Sequence, residues 1–429
     1  MNILLVGGGG REHAIALKLK ENKSVTRLYA APGNGGMADI ATCLPFKATD
    51  VAGITAWAAD NAIDFVVVAP DDPLCLGMVD ALAEKGIPAF GPRKNAAVIE
   101  GSKVFAKDLM RKYGIPTAAY AAFDDYDQAA AYLQQADMPI VVKADGLALG
   151  KGVLICQTRE EAMAALSSMM KEAKFGASGA RVVIEEFLTG PEVSVLAFTD
   201  GKTIKPMVSS MDHKRALDHD EGLNTGGMGT IAPNPCYTPE IAKRCMEEIF
   251  LPTIAAMAAE GRPFTGCLYF GLMLTPKGPK VIEYNCRFGD PETQVVLPLL
   301  QSDLLTVMLS TVNGTLAETD VTFSPDAACC VVLASGGYPV SYQSGYPITG
   351  LEEAGKLATV YHAGTKATAE GLVTSGGRVL GVTATAPTLR EAVDKAYQAA
   401  DMIYFTNRHM RRDIGQRGLA ALEGTEEKA

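Results

Sequence analysis

The sequence predicts a multidomain protein in which an α/β unit is followed by α+β units. The chain has 429 residues, more than one hydrophobic core usually serves. Its first hundred residues alternate strand and helix patterns, as a parallel βαβ layout does. From about residue 103 the pattern changes to paired strands mixed with helices, and the last hundred residues form a further unit.

The first unit, residues 1–102, is predicted to be a doubly wound, Rossmann-like domain. Short apolar runs at 3–6, 28–31 and 65–69 predict buried parallel strands. Helices are predicted between them at 11–21 and 51–61, with Thr49 or Asp50 as the cap of the second. These alternating elements are typical of a parallel sheet covered by helices.

The central unit, residues 103–325, is predicted to contain hairpins and capped helices. Strands are expected at 140–143, 152–156, 181–187, 192–199, 203–209, 268–274 and 280–285. Thr158 and Glu161 form a capping box before a helix at 159–173, and Pro239 begins another helix. The turn at 276–279 predicts that the last two strands form a hairpin.

The third unit, residues 326–422, is predicted to be a small α+β domain. Strands are expected at 329–334, 358–362 and 378–383. Thr388 and Glu391 are predicted to cap its terminal helix. Residues 423–429 are polar and are expected to form a tail.

Composition excludes several classes of protein. The net charge of -10 argues against a nucleic-acid binder, which needs a clustered basic surface. The N-terminal apolar run is too short for a signal peptide, and no apolar stretch approaches the length of a membrane span. The nine cysteines show no CxxC pair, so a zinc site is not indicated. We therefore expect a cytoplasmic protein with small-molecule partners.

Residues 280–294 are the most informative stretch of the chain. Side chains alternate faces along a strand, so Glu283 and Asn285 are predicted to share a face with Val281. A carboxylate and an amide oxygen form a hard, oxygen-only pair suited to Mg²⁺ shared with substrate phosphates. Arg287 follows two residues later and can donate to the same phosphates. The stretch indicates a nucleoside-triphosphate site.

A glycine-rich turn at residues 7–13 follows the first strand and begins a helix. Backbone N–H groups and the helix dipole favour a phosphate there. The dinucleotide fingerprint fails, because Glu12 stands where a third Gly or Ala is required, and His13 stands there in the alternative register. We expect a substrate phosphate rather than NAD at this turn, although such a turn is often only a tight connection.

A second glycine-rich segment, residues 143–152, differs from a P-loop. Three residues rather than four separate Gly146 from Gly150, and Gly152 stands where Ser or Thr is required. The segment also joins two strands rather than a strand and a helix. A hairpin that closes over phosphates, with Lys143 just before it, fits better than a mobile surface turn.

Two other segments carry weaker signals. Residues 212–215 and 224–229 belong to a long polar, glycine-rich connection, and such loops in compact domains are often functional. His213 within it is more often structural than catalytic. Glu185 and Glu186 end a predicted strand, where the backbone can pair with an adenine edge, but such a pair is usually only solvated.

Taken together, these motifs resemble those of a known family. In order along the chain they are 10–13 (Gly-Arg-Glu-His), 101–103 (Gly-Ser-Lys), 143–152, 212–214 (Asp-His-Lys), 224–229 (Asn-Thr-Gly-Gly-Met-Gly) and 283–292 (Glu-Tyr-Asn-Cys-Arg-Phe-Gly-Asp-Pro-Glu). The chain resembles the glycinamide ribonucleotide synthetases, or phosphoribosylamine–glycine ligases, of the ATP-grasp superfamily. The resemblance extends from residue 1 to about residue 418. The runs at 224–229 and 285–292 are its most specific parts.

The resemblance implies the fold and the reaction. It implies an ATP-grasp domain at 103–325 with a lid subdomain at about 120–190, between the Rossmann-like domain and the small C-terminal domain. Glycine carboxylate would attack the γ-phosphate of ATP to give glycyl phosphate and ADP. The amine of 5-phosphoribosylamine would then displace phosphate, yielding glycinamide ribonucleotide for purine biosynthesis. A monomer or weak homo-oligomer is expected.

The resemblance also implies roles for individual residues. The implied metal ligands, for Mg²⁺ or Mn²⁺, are Glu283 and Asn285. The implied catalytic residues are Arg287, Lys214, Asp212 and Asp290. The implied ATP-binding residues are Lys103, Lys143, Gly146, Gly150, Lys151, Gly152, Glu185, Glu186, Phe187, Leu188 and Glu192. The implied substrate-binding residues are Gly8, Gly9, Gly10, Arg11, Asn224, Gly226, Gly227, Met228, Gly229, Pro291 and Glu292.

Two positions depart from the family pattern, and other functions stay open. The strand at 268–274 lacks the acidic metal ligand of many ATP-grasp enzymes, so the number of metal ions is open. Asp71 stands where Glu is expected, which shortens its reach by one methylene. The alternatives are another ATP-grasp carboxylate–amine ligase, an NAD-dependent oxidoreductase, and a nucleotide-binding regulatory protein without chemistry. The oxidoreductase is disfavoured by the broken fingerprint.

Overall fold

The computed structural model describes residues 1–147, 152–172 and 176–424. Within these residues, no helix is both long and apolar enough to cross a membrane. Gly150 and Lys151, two of the predicted ATP-binding residues, lie outside this range, as does most of the predicted tail.

The N-terminal region contains a parallel sheet with the strand order β3-β2-β1-β4-β5. The β1 strand is buried along almost its whole length, which explains its purely apolar sequence. Asp50 caps the second helix by accepting a hydrogen bond from the backbone of Gly53. The elements are β1 (Asn2–Gly7), α1 (Gly10–Lys20), β2 (Arg27–Pro32), β3 (Thr42–Cys43), α2 (Val51–Asp60), β4 (Phe65–Val68), α3 (Asp71–Leu76), α4 (Met78–Glu84), β5 (Ala89–Phe90) and α5 (Lys94–Gly101).

The next region forms an antiparallel sheet with the order β6-β9-β7-β8 and a small core of its own. Thr158 caps the last of its three helices, as the capping box predicts. The elements are α6 (Lys103–Tyr113), β6 (Tyr120–Phe123), α7 (Tyr126–Gln135), β7 (Ile140–Ala144), β8 (Val153–Cys156), α8 (Arg159–Met170) and β9 (Val182–Glu186), with a 3₁₀ turn at Gly176–Gly179.

The following region forms a second antiparallel sheet, with the order β11-β10-β16-β17. Its core merges with that of the N-terminal sheet, because Leu4 and Val66 belong to the same apolar cluster as Phe270 and Tyr284. The elements are β10 (Glu192–Thr199), β11 (Ile204–Pro206), β12 (Met211–Asp212), β13 (Arg215–Leu217), β14 (Glu221–Asn224), β15 (Gly229–Ala232), α9 (Pro239–Cys245), a π-helical turn (Met246–Phe250), α10 (Leu251–Ala259), β16 (Gly266–Thr275), β17 (Gly278–Asn285), α11 (Thr293–Leu299) and α12 (Leu304–Asn313).

The C-terminal region completes a sheet that begins in the central region. Its strand order is β12-β15-β18-β22-β19, and β23 pairs with one end of β18. Strands from residues 211–232 therefore join strands that follow residue 326, and the glycine-rich connection is held beside the C-terminal domain. The elements are β18 (Ala327–Ser335), α13 (Leu351–Gly355), β19 (Thr359–His362), β20 (Thr365–Thr368), β21 (Gly371–Thr374), β22 (Arg378–Ala386), α14 (Leu389–Met402), β23 (Arg408–His409) and α15 (Gln416–Glu423).

A β-bulge in β17 makes one detail of the sequence prediction wrong. Gly271 pairs with Glu283 and Leu272 pairs with Val281, so Ile282 is an extra residue in the strand. Val281 therefore turns into the apolar core with Tyr284 rather than sharing a face with Glu283. Glu283 and Asn285 still share the face opposite to the core, because they follow the bulge.

Two other predicted elements also differ. The helix capped by Thr388 is not the terminal one, since α15 follows it. That last helix is short and contains Gly418, which weakens its helical pattern. The strand predicted at 203–209 is reduced to Ile204–Pro206.

Candidate active site

The bulge in β17 presents Glu283 and Asn285 towards a group of cationic side chains. The Lys214 Nζ atom lies 3.4 Å from Glu283 Oε1 and 3.5 Å from Glu192 Oε2. Partial burial alone would raise the pKa of Glu283, but Lys214, Lys143 and Lys103 lower it below its ordinary value. Glu283 is thus held as a carboxylate, the form that binds a metal ion.

Lys103 is positioned by the start of α6. Ser102 caps this helix, and its hydroxyl donates to Asp145 Oδ1 at 3.0 Å. The Lys103 ammonium donates to the backbone oxygen of Gly146 at 2.9 Å. Burial lowers the pKa of Lys103, while Glu283 acts in the opposite direction. Lys103 therefore lies between β17 and the start of the glycine-rich segment.

Lys143, at the end of β7, makes two contacts. Its ammonium donates to Glu185 Oε2 at 3.0 Å and to the backbone oxygen of Ile282 at 3.2 Å. The bulge places this carbonyl outside regular strand pairing, which makes it available to the lysine. Lys143 thus connects the β6-β9-β7-β8 sheet to β17.

The strand end at Glu185 and Glu186 is built asymmetrically. Glu185 is buried, and its Oε1 atom has no hydrogen-bond partner among the described residues. Glu186 is exposed and pairs with Lys280 at 2.8 Å. Glu186 and Phe187 also line an open cleft of about 600 Å³ beside residues 135–140. Of these two glutamates, Glu185 is therefore the one whose carboxylate has a buried oxygen without a hydrogen-bond partner among the described residues.

Arg287 is held by two acidic residues of the N-terminal region. Its guanidinium lies 3.0 Å from Glu100 Oε1 and 3.9 Å from Asp71 Oδ2. It also donates to Asn285 Oδ1 at 3.4 Å. Glu100 receives the backbone N–H of Cys286 at 2.7 Å, which orders the turn that carries Arg287. The shorter Asp71 still reaches the arginine, at the outer limit of an ion pair.

A cleft of about 390 Å³ lies where the N-terminal and C-terminal regions meet. Its wall includes the backbone of Gly8 and Gly9, and Gly8 packs so closely that a Cβ atom would lie 2.4 Å from the Gly33 oxygen. The other lining residues are Gly33, Asn34, Asp290, Tyr338, Ala363, Gly364, Thr365, Ser375 and Arg378. The cleft is therefore rich in backbone groups.

Arg378 and Asp290 organise the floor of this cleft. Arg378 donates to the backbone oxygens of Gly226 at 2.7 Å and Asp290 at 2.8 Å, and it lies 3.5 Å from Asp290 Oδ1. Asp290 also accepts from Gln294 at 2.8 Å. Burial alone would raise the pKa of Asp290, but Arg378 and Arg11 lower it. The carboxylate is thus ionised and held in place.

Asp212 and Glu292 form a second acidic group close to this floor. Burial raises the pKa of Asp212 well above its ordinary value, and the charge of Glu292 raises it further. Glu292 is buried, and Tyr269 donates to it at 3.1 Å. Gly227 lies against Asp212 at a φ of +116°, where a Cβ atom would lie 2.6 Å from Asp212 Oδ1. Only glycine fits this position.

The donor set on β17 fits a hard divalent cation with few protein ligands. No cluster of three or more His, Cys, Asp or Glu residues able to hold a metal occurs in the described ranges. Glu283 and Asn285 therefore offer one carboxylate and one amide oxygen, the sparse oxygen set that Mg²⁺ uses when phosphates and water complete its shell. Mn²⁺ accepts the same oxygen ligands.

Several residues predicted to bind substrate lie behind the cleft rather than on its surface. Met228 and Gly229 are buried, and their backbones pair with His213. His213 bridges Gly229 and the backbone N–H of Gly415, so its role is structural. The Arg11 side chain is buried and donates to Phe288 O at 3.1 Å, while its backbone N–H donates to Asp290.

The remaining predicted residues lie at the edges of the site. Gly152 receives a hydrogen bond from Ala144 and closes the described end of the hairpin. Gly10 begins α1 beside Gln294. Pro291 packs on Gly227, and Asn224 pairs with Arg215 in the β13–β14 hairpin. Leu188 follows the end of β9.

Sequence reasoning missed residues that lie far from the motifs along the chain. Arg378, Tyr338 and Asn34 line the cleft but stand in no recognisable motif. Asn34 follows the second strand, and its amide donates to Gly8 O at 3.0 Å and His362 O at 2.8 Å. The Gly33-Asn34 turn was a visible signal for Asn34. Nothing local marked Arg378.

Family models match three consecutive parts of the chain. The phosphoribosylglycinamide synthetase N domain matches residues 1–100, its ATP-grasp (A) domain residues 101–293, and its C domain residues 328–417. These matches cover most of the chain and agree with the resemblance carried by the motifs.

Similar proteins cover nearly the full length. A protein from Halalkalibacterium halodurans named phosphoribosylamine–glycine ligase is 50% identical over 420 residues, covering 98% of each chain. A protein of the same name from Allochromatium vinosum is 49% identical over 424 residues, covering 98% of this chain and 99% of its own.

Solved structures agree with these relatives. The crystal structure of phosphoribosylamine–glycine ligase from Thermotoga maritima is 34% identical, with a TM-score of 0.85, and covers 96% of this chain and 100% of its own. The biotin carboxylase domain of 2-oxoglutarate carboxylase from Hydrogenobacter thermophilus, at 17% identity and a TM-score of 0.72, shares the fold. The predicted multidomain fold class and the family resemblance are confirmed.

Proposed function

The chain belongs to the phosphoribosylglycinamide synthetase family, and we propose that it joins glycine to 5-phosphoribosylamine with the hydrolysis of ATP to ADP and phosphate. The product is glycinamide ribonucleotide, an intermediate of purine biosynthesis. This is the activity that the names of its full-length relatives give.

The observation that carries the proposal is the course of residues 283–292. Glu283 faces three lysines at one end of this segment, and Asn285 beside it accepts a hydrogen bond from Arg287. Asp290 lines the cleft between the N-terminal and C-terminal regions at the other end. One short piece of backbone therefore connects a cationic phosphate-binding region with a separate cleft, as a reaction between ATP and a second phosphorylated substrate requires.

We call the first region the nucleotide side, consisting of Lys103, Lys143, Glu185, Glu283 and Asn285. The lysines offset the charge of the triphosphate, which makes approach of a carboxylate less unfavourable. Glu283 and Asn285 would hold Mg²⁺ or Mn²⁺, and the bound ion would neutralise charge on the nucleotide phosphates. The buried Oε1 atom of Glu185 is an acceptor for a donor on the base.

We call the second region the acceptor cleft, consisting of Gly8, Gly9, Asn34, Asp290 and Arg378. Backbone N–H groups at the start of a helix and an arginine are suited to a phosphate monoester. The volume of about 390 Å³ is that of a small-ligand site. We assign the phosphoribosyl group of the acceptor to this cleft.

The proposed reaction has two steps. A glycine carboxylate oxygen bonds to the γ-phosphorus while the bond to ADP breaks, giving glycyl phosphate. The acceptor amine then bonds to the glycyl carbonyl carbon, phosphate leaves, and the nitrogen loses a proton. To Arg287, held by Glu100 and Asp71, we assign the binding of carboxylate or phosphate during the first step. We assign the binding of the acceptor amine to Asp212 and Glu292, two acidic groups whose pKa values are raised by burial.

The test is ADP release by the purified full chain with Mg²⁺, ATP, glycine and phosphoribosylamine generated from ribose 5-phosphate and ammonia. Each component is omitted in turn, and the product is identified by mass. We expect turnover only with all substrates, with glycinamide ribonucleotide formed in equal amount to ADP. Turnover with a different acid or amine would instead favour another ATP-grasp ligase, and nucleotide binding without turnover would favour a regulatory role.

A further inference from the structure

Lys107 is a buried lysine that the nucleotide side does not include. It lies on α6, one turn beyond Lys103, and only 2% of its surface is exposed. Its ammonium lies 3.0 Å from Glu185 Oε2 and donates to Thr117 Oγ1 at 2.7 Å. A buried ammonium is costly unless it is paired, so its position requires an explanation.

Glu185 Oε2 is shared by two lysines. The Nζ atoms of Lys107 and Lys143 both lie 3.0 Å from this one oxygen. A carboxylate paired with Lys143 alone would form a neutral pair, and the lysine would have little charge left for a phosphate. With Lys107 present, the two lysines and the one carboxylate of Glu185 together carry a net positive charge. An excess buried charge of this kind is stable only when an anion is bound or nearby.

Hydrogen bonds link both lysines to the backbone of β17. Thr117 receives the hydrogen bond from Lys107 and donates its own hydroxyl to Val281 O at 2.7 Å. Lys143 donates to Ile282 O, the next carbonyl along. The two ends of the connection therefore reach adjacent peptide groups at the bulge that presents Glu283.

We infer that Lys107 is a positioning residue for nucleotide binding: it shares Glu185 with Lys143, fixes the Lys143 ammonium and keeps a net positive charge for the polyphosphate. Burial lowers the pKa of Lys107 to about 8, and Glu185 opposes this change, so the lysine stays protonated at neutral pH. Lys107 itself contacts no substrate in this arrangement. The inference rests on the proposed function, because it gives Lys107 a role in the nucleotide binding proposed there.

The test compares Lys107→Met with Lys107→Arg and with Lys112→Met as the matched control. Methionine keeps the buried stem without the charge, and arginine restores the charge. Lys112 lies on the same helix but is exposed and pairs with Glu260 at the surface. The measurements are the Kd of ADP with Mg²⁺ by calorimetry, the KM values for ATP and glycine, and the Tm.

For Lys107→Met we expect about tenfold weaker ADP binding and an equal rise in the KM for ATP, with the KM for glycine unchanged. Lys107→Arg should recover most of the affinity, and Lys112→Met should match the parent protein. A folded Lys107→Met protein with unchanged ADP affinity, or with equal changes in both KM values, would overturn the inference.

A second variant keeps the inference testable if Lys107→Met does not fold. Thr117→Val removes the neutral partner of Lys107 but leaves the ion pairs, and we expect about threefold weaker ADP binding. Unchanged affinity in this variant would contradict the connection through Thr117. If the parent protein itself binds no ADP, the proposed function fails rather than the role of Lys107.

Discussion

The nucleotide side and the acceptor cleft meet along residues 283–292, yet they are assembled in different ways. The nucleotide side consists mainly of charged side chains drawn from residues 103–285, and lysines surround Glu283. The acceptor cleft consists largely of backbone groups and combines Gly8, Asn34 and Arg378 from the two ends of the sequence. In the proposed function, charge would hold a ligand in the first, whereas shape and aligned peptide dipoles would hold it in the second.

This difference indicates how each side should respond to substitution. On the nucleotide side, loss of one charge changes the balance among several neighbours but leaves the backbone in place. In the acceptor cleft, Arg378 contacts three backbone oxygens in two segments of the chain, so its loss changes the shape of the cleft. Substitutions that change the KM for one substrate without changing the KM for the other can test whether the nucleotide side and the acceptor cleft act separately.

The largest effect is expected for Glu283→Gln. The amide keeps the size of the side chain but loses the charge that binds the metal, and we expect kcat to fall about thousandfold. Partial recovery should occur at high Mg²⁺. The measurement is ADP release over a range of Mg²⁺ concentrations, with Glu248→Gln, at a half-exposed position that pairs with Arg244, as the control. Near-normal turnover at ordinary Mg²⁺ would remove Glu283 from the metal site.

The next effect is expected for Arg378→Met. Loss of the guanidinium leaves Asp290 without its cation and three backbone oxygens without a donor, so the KM for phosphoribosylamine should rise about hundredfold. The KM for ATP should change little. The exposed Arg390→Met, whose partner is Glu423, is the matched control in the same steady-state assay. An equal rise in both KM values would show that the two sides are not independent.

A smaller effect is expected for Lys143→Ala. The KM for ATP should rise about thirtyfold, because one of the lysines near the phosphates is lost, while the KM for phosphoribosylamine stays constant. Glu185 keeps Lys107 as a partner, so the Tm should fall only slightly. The KM values and a thermal unfolding curve test both statements. An unchanged KM for ATP would exclude this lysine from the nucleotide side.

Local sequence patterns were sufficient to predict the fold class and to group three of the proposed site residues. Apolar runs and caps such as Thr158 and Thr388 are local patterns, and the strands and helices they predict are present. Glu283, Asn285 and Arg287 stand within five residues, so their proximity follows from strand geometry alone.

The acceptor cleft, the bulge and the surroundings of Lys107 could not be predicted from the sequence, because all three depend on tertiary contacts. The cleft forms because β18 pairs with both β15 and β22, which brings Arg378 of β22 beside Gly226, and no local pattern encodes these pairings between distant residues. The bulge at Ile282 depends on pairing with β16. In the sequence Lys107 is an ordinary helical lysine, and only the folded structure shows that Glu185 of β9 lies against it. Neighbouring residues are enough to predict a site formed by one strand, whereas pairing between distant strands depends on which surfaces pack together.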